Sequence, residues 1–487
     1  MEPVRPPTLE QRVAEAREAA AEEDRDQALD QLRLASLALS SGDPQLAEAA
    51  LRPAVIRMQN FSADGQFAAF MGAEDRKEWK GEPYEKMAAF FRLGMLLESK
   101  GDHGNALAMS KSALLADTGT RVERFRADFV PAFVLAALAS LGLGEPHNAE
   151  RSIERAVDAW TSRRLINALT PLLESIEQNS TERDVIAAKA LLLAGLPAGV
   201  AAHPRDPVAA VAGALSHATD LRQATLAGKR SDRPPELRTL SRQQLRAAFD
   251  HLDRLSSKWT KRAKELPADL LAEVDADAEG LRSLLDRPSL TVVVERGQGP
   301  QKIATGRYGE VLQLVPSPPM RPPQLLLDGK PVRAQLLDSL SWQATTRGGR
   351  KVDGFLKGKA VFKDASGLLG YSMMVAGDIA NATDEPVVAV FAYAAGAITW
   401  IAGVATNPRA DTRAWESLPD QLWLVVADPA PGTHTLVLDG HSYSVDIPDR
   451  GSVVHLIPNT APYGAAHFGT PCISCDVPLA IPSGGTP

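Results

Sequence analysis

Cysteine is nearly absent: two of 487 residues, Cys472 and Cys475, both near the C-terminal end, so no disulfide framework holds this fold together. An excess of positive charge is missing too. Fifty-three Lys and Arg face 60 Asp and Glu, for a net charge of −7, which excludes the strongly basic domain usual in nucleic-acid binders. Aromatic residues make up only 5%. No H-E-x-x-H, nucleophile elbow, phosphate-binding P-loop or paired-carboxylate signature occurs. The start, Met1-Glu-Pro-Val-Arg-Pro-Pro7, lacks a basic n-region, an apolar h-region and a lipid-accepting cysteine. The chain therefore reads either as cytoplasmic or as having lost a targeting segment.

What is present is ordinary globular material, 44% apolar and 23% charged, in a chain too long for one hydrophobic core. Charge divides it. Residues 287–487 hold 16 basic and 17 acidic residues, against 37 and 43 in the rest. The first part is also rich in Ala, Leu, Glu, Gln and Arg, whereas the second carries Val-rich runs and Gly-containing turns. The expected organisation is an all-α domain over 1–227, a linker and long amphipathic helices over 228–288, and an α+β domain over 289–487. That last domain is expected to have a mostly antiparallel sheet, a helical insertion at 353–406 and a Pro/Gly-rich tail.

Repetition is the most informative feature of the first part. From Met87 onward, Phe90, Leu93, Gly94 and Leu97 share one helix face, Gly101-Asp102 makes a turn, and Ala106 and Ala113 stand seven apart on a second helix. The same register recurs as Gly144-Glu145 with Ala149 and Ala156, and upstream as Gly42-Asp43 with Ala47 and Ala54. Small residues let paired helices approach, and glycine accepts the positive φ at a helix end. The pattern predicts a degenerate tetratricopeptide-like array, with a plain helical bundle as the alternative. Its concave face would be lined by Phe91, Met95, Glu98, Val134 and Leu138. Those side chains either receive a protein partner or pack against the chain's own C-terminal domain. Ser241 with Gln244 reads as a capping box opening a long amphipathic segment.

In the second part, strands are expected at 290–295, 310–315, 324–327, 331–337, 421–427, 433–438, 442–447 and 452–457, with Asp328-Gly329 and Asp439-Gly440 as hairpin turns. Residues 387–406 carry no charge and are long enough to span a bilayer, yet nine of the twenty are Ala or Gly. A buried core helix is the first reading, membrane insertion or a buried strand pair the alternatives.

Three segments, Trp79-Lys-Gly-Glu-Pro-Tyr-Glu85, Val293-Val-Glu-Arg-Gly-Gln-Gly-Pro-Gln-Lys302 and Ala410-Asp-Thr-Arg-Ala-Trp-Glu-Ser-Leu-Pro419, resemble those of an uncharacterised bacterial cell-envelope family. Its members, predicted lipoproteins, combine tetratricopeptide-type helices with a C-terminal domain. The resemblance implies an envelope or periplasmic location and no known reaction. Read as residues alone, Asp411, Arg413 and Trp415 suggest a buried salt bridge capped by an indole. Gly297 and Gly299 permit a tight loop that an anion would need Arg296 and Lys302 to occupy.

Cys472-Ile-Ser-Cys475 has no helix after it to lower a thiol pKa, so a local disulfide is its expected use, with a catalytic dithiol or a metal site the weaker alternative. No cofactor and no metal are expected. The function expected is a non-enzymatic scaffold that binds a protein partner, with self-association as one form of that binding. The rival is a membrane-associated assembly component using 387–406.

Overall fold

The structure, a computed structural model, describes residues 8–59, 78–117, 128–175, 183–227, 241–306, 309, 311–318, 320–345 and 410–459. The expectations placed on the 228–240 linker, on 353–406 and on Cys472 and Cys475 lie outside these residues.

Helices dominate the first half. α1 (Leu9–Ala21) opens on a Thr8/Gln11 capping box, and α2 (Gln27–Ser40) and α3 (Pro44–Gln59) follow. Next come α4 (Pro83–Ser99), α5 (His103–Asp117), α6 (Val130–Gly142) and α7 (Pro146–Glu174). Three turns repeat one hydrogen-bond pattern. Gly42, Gly101 and Gly144 all have φ of 75–77°, and the next N–H bonds a carbonyl five residues back: Asp43 to Ala38, Asp102 to Leu97, Glu145 to Ser140. This is the Schellman closure, which needs the left-handed residue that glycine supplies. The alanine pairs Ala47/Ala54, Ala106/Ala113 and Ala149/Ala156 are all fully buried. Close approach has a second marker at Gly94, where an added Cβ would lie 2.3 Å from Leu135 Cδ2.

The strands are β1 (Leu290–Arg296), β2 (Gln301–Thr305), β3 (Val311–Val315), β4 (Leu325–Leu327), β5 (Lys330–Pro331), β6 (Ala334–Ser339), β7 (Gln421–Ala427), β8 (Gly432–Leu438), β9 (His441–Ile447) and β10 (Val453–Ile457). One four-stranded sheet runs β10-β1-β7-β6, mixed because β1 and β10 are parallel. A second runs β5-β4-β8-β9, all antiparallel, and β2 pairs with β3 alone. Asp328-Gly329 and Asp439-Gly440 close hairpins with φ > 0 at both positions. Alternation decides which faces meet. Leu290, Val292 and Val294 of β1, with Trp423 and Val425, share a core with Leu436, Leu438, Tyr443, Val445 and Ile447 of the second sheet. Thr291, Val293 and Glu295 point the other way and are buried as well. A strand covered on both faces reads as the continuous run Thr-Val-Val-Val rather than as an alternation.

Compactness divides the chain differently from composition. Residues 1–135 gather with 289–487, and residues 136–288 form the second unit, so one unit boundary falls at the expected 288/289 and the other falls within α6 rather than at 227. Within the first unit, buried ion pairs join helical residues to strand residues far along the chain. The second unit is helical: the rest of α6 and α7, then α8 (Arg183–Ala202), α9 (Pro207–Ala227), α10 (Arg242–Ala263) and α11 (Ala268–Arg282). The Ser241/Gln244 capping box opens α10, whose Leu245, Phe249, Leu252 and Trp259 join the core of α8 and α9. Gly195 and Gly199 bring those two helices into backbone contact. A Cβ on Gly199 would stand 2.1 Å from the Ala210 carbonyl oxygen. Among the described residues, Val185–Ala202 alone is long and apolar enough to cross a membrane, and 62% of it is buried inside the protein.

Candidate functional site

The three segments singled out in the sequence converge on one buried lattice. Arg92, on the otherwise apolar stretch Phe90–Met95 of α4, reaches Glu295 at the end of β1. Its Nε and Nη2 donate to the two carboxylate oxygens at 2.6 Å each, and Nη1 donates to Ser36 Oγ at 2.8 Å. Both partners are essentially inaccessible, with side chains 2% and 1% exposed. The Trp415 ring lies 4.7 Å from the guanidinium carbon, and its Nε1 donates to the same Ser36 oxygen at 3.0 Å. Ser36 in turn donates to Leu32 O, so its hydroxyl is complete.

A second buried pair lies alongside. Lys302 Nζ donates to Glu85 Oε2 at 2.6 Å and to Arg413 O at 2.8 Å, while the other Glu85 oxygen accepts from Trp415 N. Glu85 also closes the capping box of α4 by accepting from Glu82 N, so a single carboxylate caps a helix and neutralises a strand lysine. Trp79 donates through Nε1 to Arg413 O. Arg413 pairs with Asp411 at 2.7 Å and also with Asp26. Burial works to lower the Arg413 pKa, and the two carboxylates raise it further than burial lowers it. Asn459 finishes the arrangement, donating its N–H to Glu295 and its amide to Gly297 O.

The expected sites can now be placed. Asp411 and Arg413 do pair, but the Trp415 indole covers Arg92 rather than that pair. The proposed anion loop is already spent, because Lys302 is held by Glu85 and Arg296 bonds Asp439 at 2.9 Å. Of the two uses expected for the concave-face residues, burial fits packing within the chain and not an exposed partner surface. Phe91, Met95, Glu98, Val134 and Leu138 are all buried. α4 is buried at every position from Tyr84 to Glu98 except Lys86, because it is covered by neighbouring helices and by the first sheet. Phe91 meets Phe129 edge-on at 6.0 Å, and Glu98 bonds His103 at 2.9 Å. Arg92 and Ser36 were not identified from sequence. A charged residue between Phe91 and Leu93 was the one available signal for the first.

Above the lattice opens a groove of about 770 Å³. Its walls are neighbours of the locked residues: Arg33 and Leu37 flank Ser36, Gly297 and Gln298 follow Glu295, and Glu416 and Ser417 follow Trp415. α1 supplies the facing wall through Arg12, Glu15, Ala16 and Ala19. Arg33 is shared between Asp30 at 2.8 Å and both oxygens of Glu416 at 2.9 and 2.5 Å. Ser417 is 5% exposed, and its buried hydroxyl has no hydrogen-bond partner among the described residues. The groove thus combines small and apolar wall residues, Ala16, Ala19, Gly297, Leu37 and Met320, with charged side chains, Arg12, Glu15, Asp30, Arg33 and Glu416. Comparison with protein-family models, curated proteins and solved structures gives no match.

Proposed function

We propose that this chain is a non-enzymatic interaction scaffold that receives a segment of another protein in the groove between α1, α2 and the β1–β2 turn. The observation that carries the reading is the lattice beneath it. Arg92–Glu295 and Glu85–Lys302 clamp the segments that form the groove wall, so the wall is preorganised and binding there costs little ordering. The lattice charges are paired with one another, which suits a structural role better than proton transfer. The three Gly-turn hairpins with their buried alanine pairs support a tetratricopeptide-like array as the framework. An envelope location rests on the resemblance of the three segments alone, and cell fractionation of the native protein tests it.

A photocrosslinking residue placed at the exposed Gln298, with the same reporter at exposed Ser257 as control, tests the docking reading. One discrete protein adduct from Gln298 alone, reproduced with the purified partner, supports it. Equal or absent adducts from both positions refute it.

A further inference from the structure

We propose that the occupant of this groove is a short protein segment carrying an apolar anchor beside a basic side chain. The inference rests on the docking reading above and adds the chemistry of the partner. Two observations carry it. The first is charge. Arg33 is a single cation serving two carboxylates, Asp30 and Glu416, and the Glu416 side chain remains 59% exposed. Arg12 and Glu15 bring one charge of each sign, and neither has an ion-pair partner among the described residues. The rim thus holds one negative charge in excess, and its accessible carboxylates, Glu15 and Glu416, face incoming ligand. The second is the apolar part of the lining, Ala16, Ala19, Leu37 and Met320, which an apolar side chain of the ligand would cover.

Size and floor set the rest. Ala16 and Ala19 keep the α1 wall shallow, Leu37 closes the base, and Met320, 39% exposed, supplies an adaptable thioether edge. Gly297 is needed at that edge, since its φ is +74° and a Cβ there would come within 2.9 Å of Met320 Sδ. The space admits one or two bulky aliphatic side chains with their backbone, not a folded domain.

The test uses the full chain and short fluorescein-labelled peptides that share a central Leu-Leu pair flanked by Lys, by Gln or by Glu. Fluorescence anisotropy is read for the wild type, for Ala16→Arg, which fills the groove without disfavouring helix, and for Glu416→Gln. The expected result is that Lys-flanked peptides bind about three- to tenfold tighter than Glu-flanked ones at low ionic strength. That preference shrinks in high salt and in Glu416→Gln, and all binding is lost in Ala16→Arg. Equal binding of the three peptides, still abolished by Ala16→Arg, overturns the basic flank while leaving the groove a docking site. Absence of binding to the wild type overturns the proposal. So does a concentration-dependent self-association that Ala16→Arg removes, which makes a second copy of the chain the occupant.

Discussion

Replacing Arg92 by methionine removes a fully buried cation and leaves the Glu295 carboxylate behind it. In the native chain that carboxylate accepts two 2.6 Å charge-assisted bonds from Arg92, and only the Asn459 N–H at 3.3 Å would remain. Ser36 and Trp415 keep their mutual bond, but the indole loses the guanidinium it covers. Breaking one side of such a buried pair costs about 3–5 kcal/mol. Removing both charges at once, as Arg92→Met with Glu295→Leu, leaves no uncompensated ion, and comparable replacements elsewhere are neutral or even stabilising. The double variant is therefore expected within about 1 kcal/mol of wild type, and the coupling between the two sites to be several kcal/mol. Urea unfolding followed by far-UV circular dichroism measures it, read from midpoints with the slope unchanged. If the single costs add to within about 0.5 kcal/mol, the two residues act independently and the lattice argument is wrong.

Three further outcomes follow from single sites. His455 sits on β10 with no hydrogen-bond partner for its Nε2 among the described residues, and burial lowers its pKa from 6.5 to about 4. The unfolded chain therefore binds the proton more readily, so stability present above pH 6.5 is lost as pH falls toward 4, by about 3 kcal/mol in total, and His455→Leu flattens that slope in urea titrations between pH 7 and 4. His103 has the opposite sign: the Glu98 hydrogen bond raises its pKa against burial, so its contribution is full below pH 6.5 and is lost as pH rises through the folded value, a trend that His103→Gln removes. Gly199→Ala is expected to destabilise more than Gly94→Ala in the same assay, because the added methyl at 199 meets the Ala210 and Ala214 backbone, whereas at 94 the nearest atom is the Leu135 side chain, which can rotate away.

Much of this architecture was legible from short-range pattern. Each Gly-Asp or Gly-Glu turn announced a helix end because only a left-handed residue permits the closure, and each Asp-Gly announced a hairpin for the same steric reason. The seven-residue alanine spacings found the helix contacts because close approach excludes larger side chains. Long-range pairing left a different kind of trace. Arg92 inside an apolar helix and Glu295 ending an apolar strand each declare that a partner exists, since an unpaired buried charge is prohibitively costly. Neither declares which partner, and with 53 cations and 60 anions in the chain the choice is fixed only by the fold.

The same limit left open whether the concave-face residues meet a partner or the rest of the chain. Phe91 and Met95 are buried on α4, which neighbouring helices and the far-downstream strand β10 cover together. The groove left no local trace at all: its walls come from α1, α2, the β1–β2 turn, residue 320 and residues 416–417, each unexceptional alone. What links them is that Ser36, Glu295 and Trp415 are locked in the lattice, so their chain neighbours are presented together on its outer side. A substitution within the lattice should therefore reshape the groove without touching it, whereas one at Ala16 should block the groove and leave the lattice intact. That asymmetry separates a scaffold whose interior positions its recognition surface from one in which the two merely adjoin.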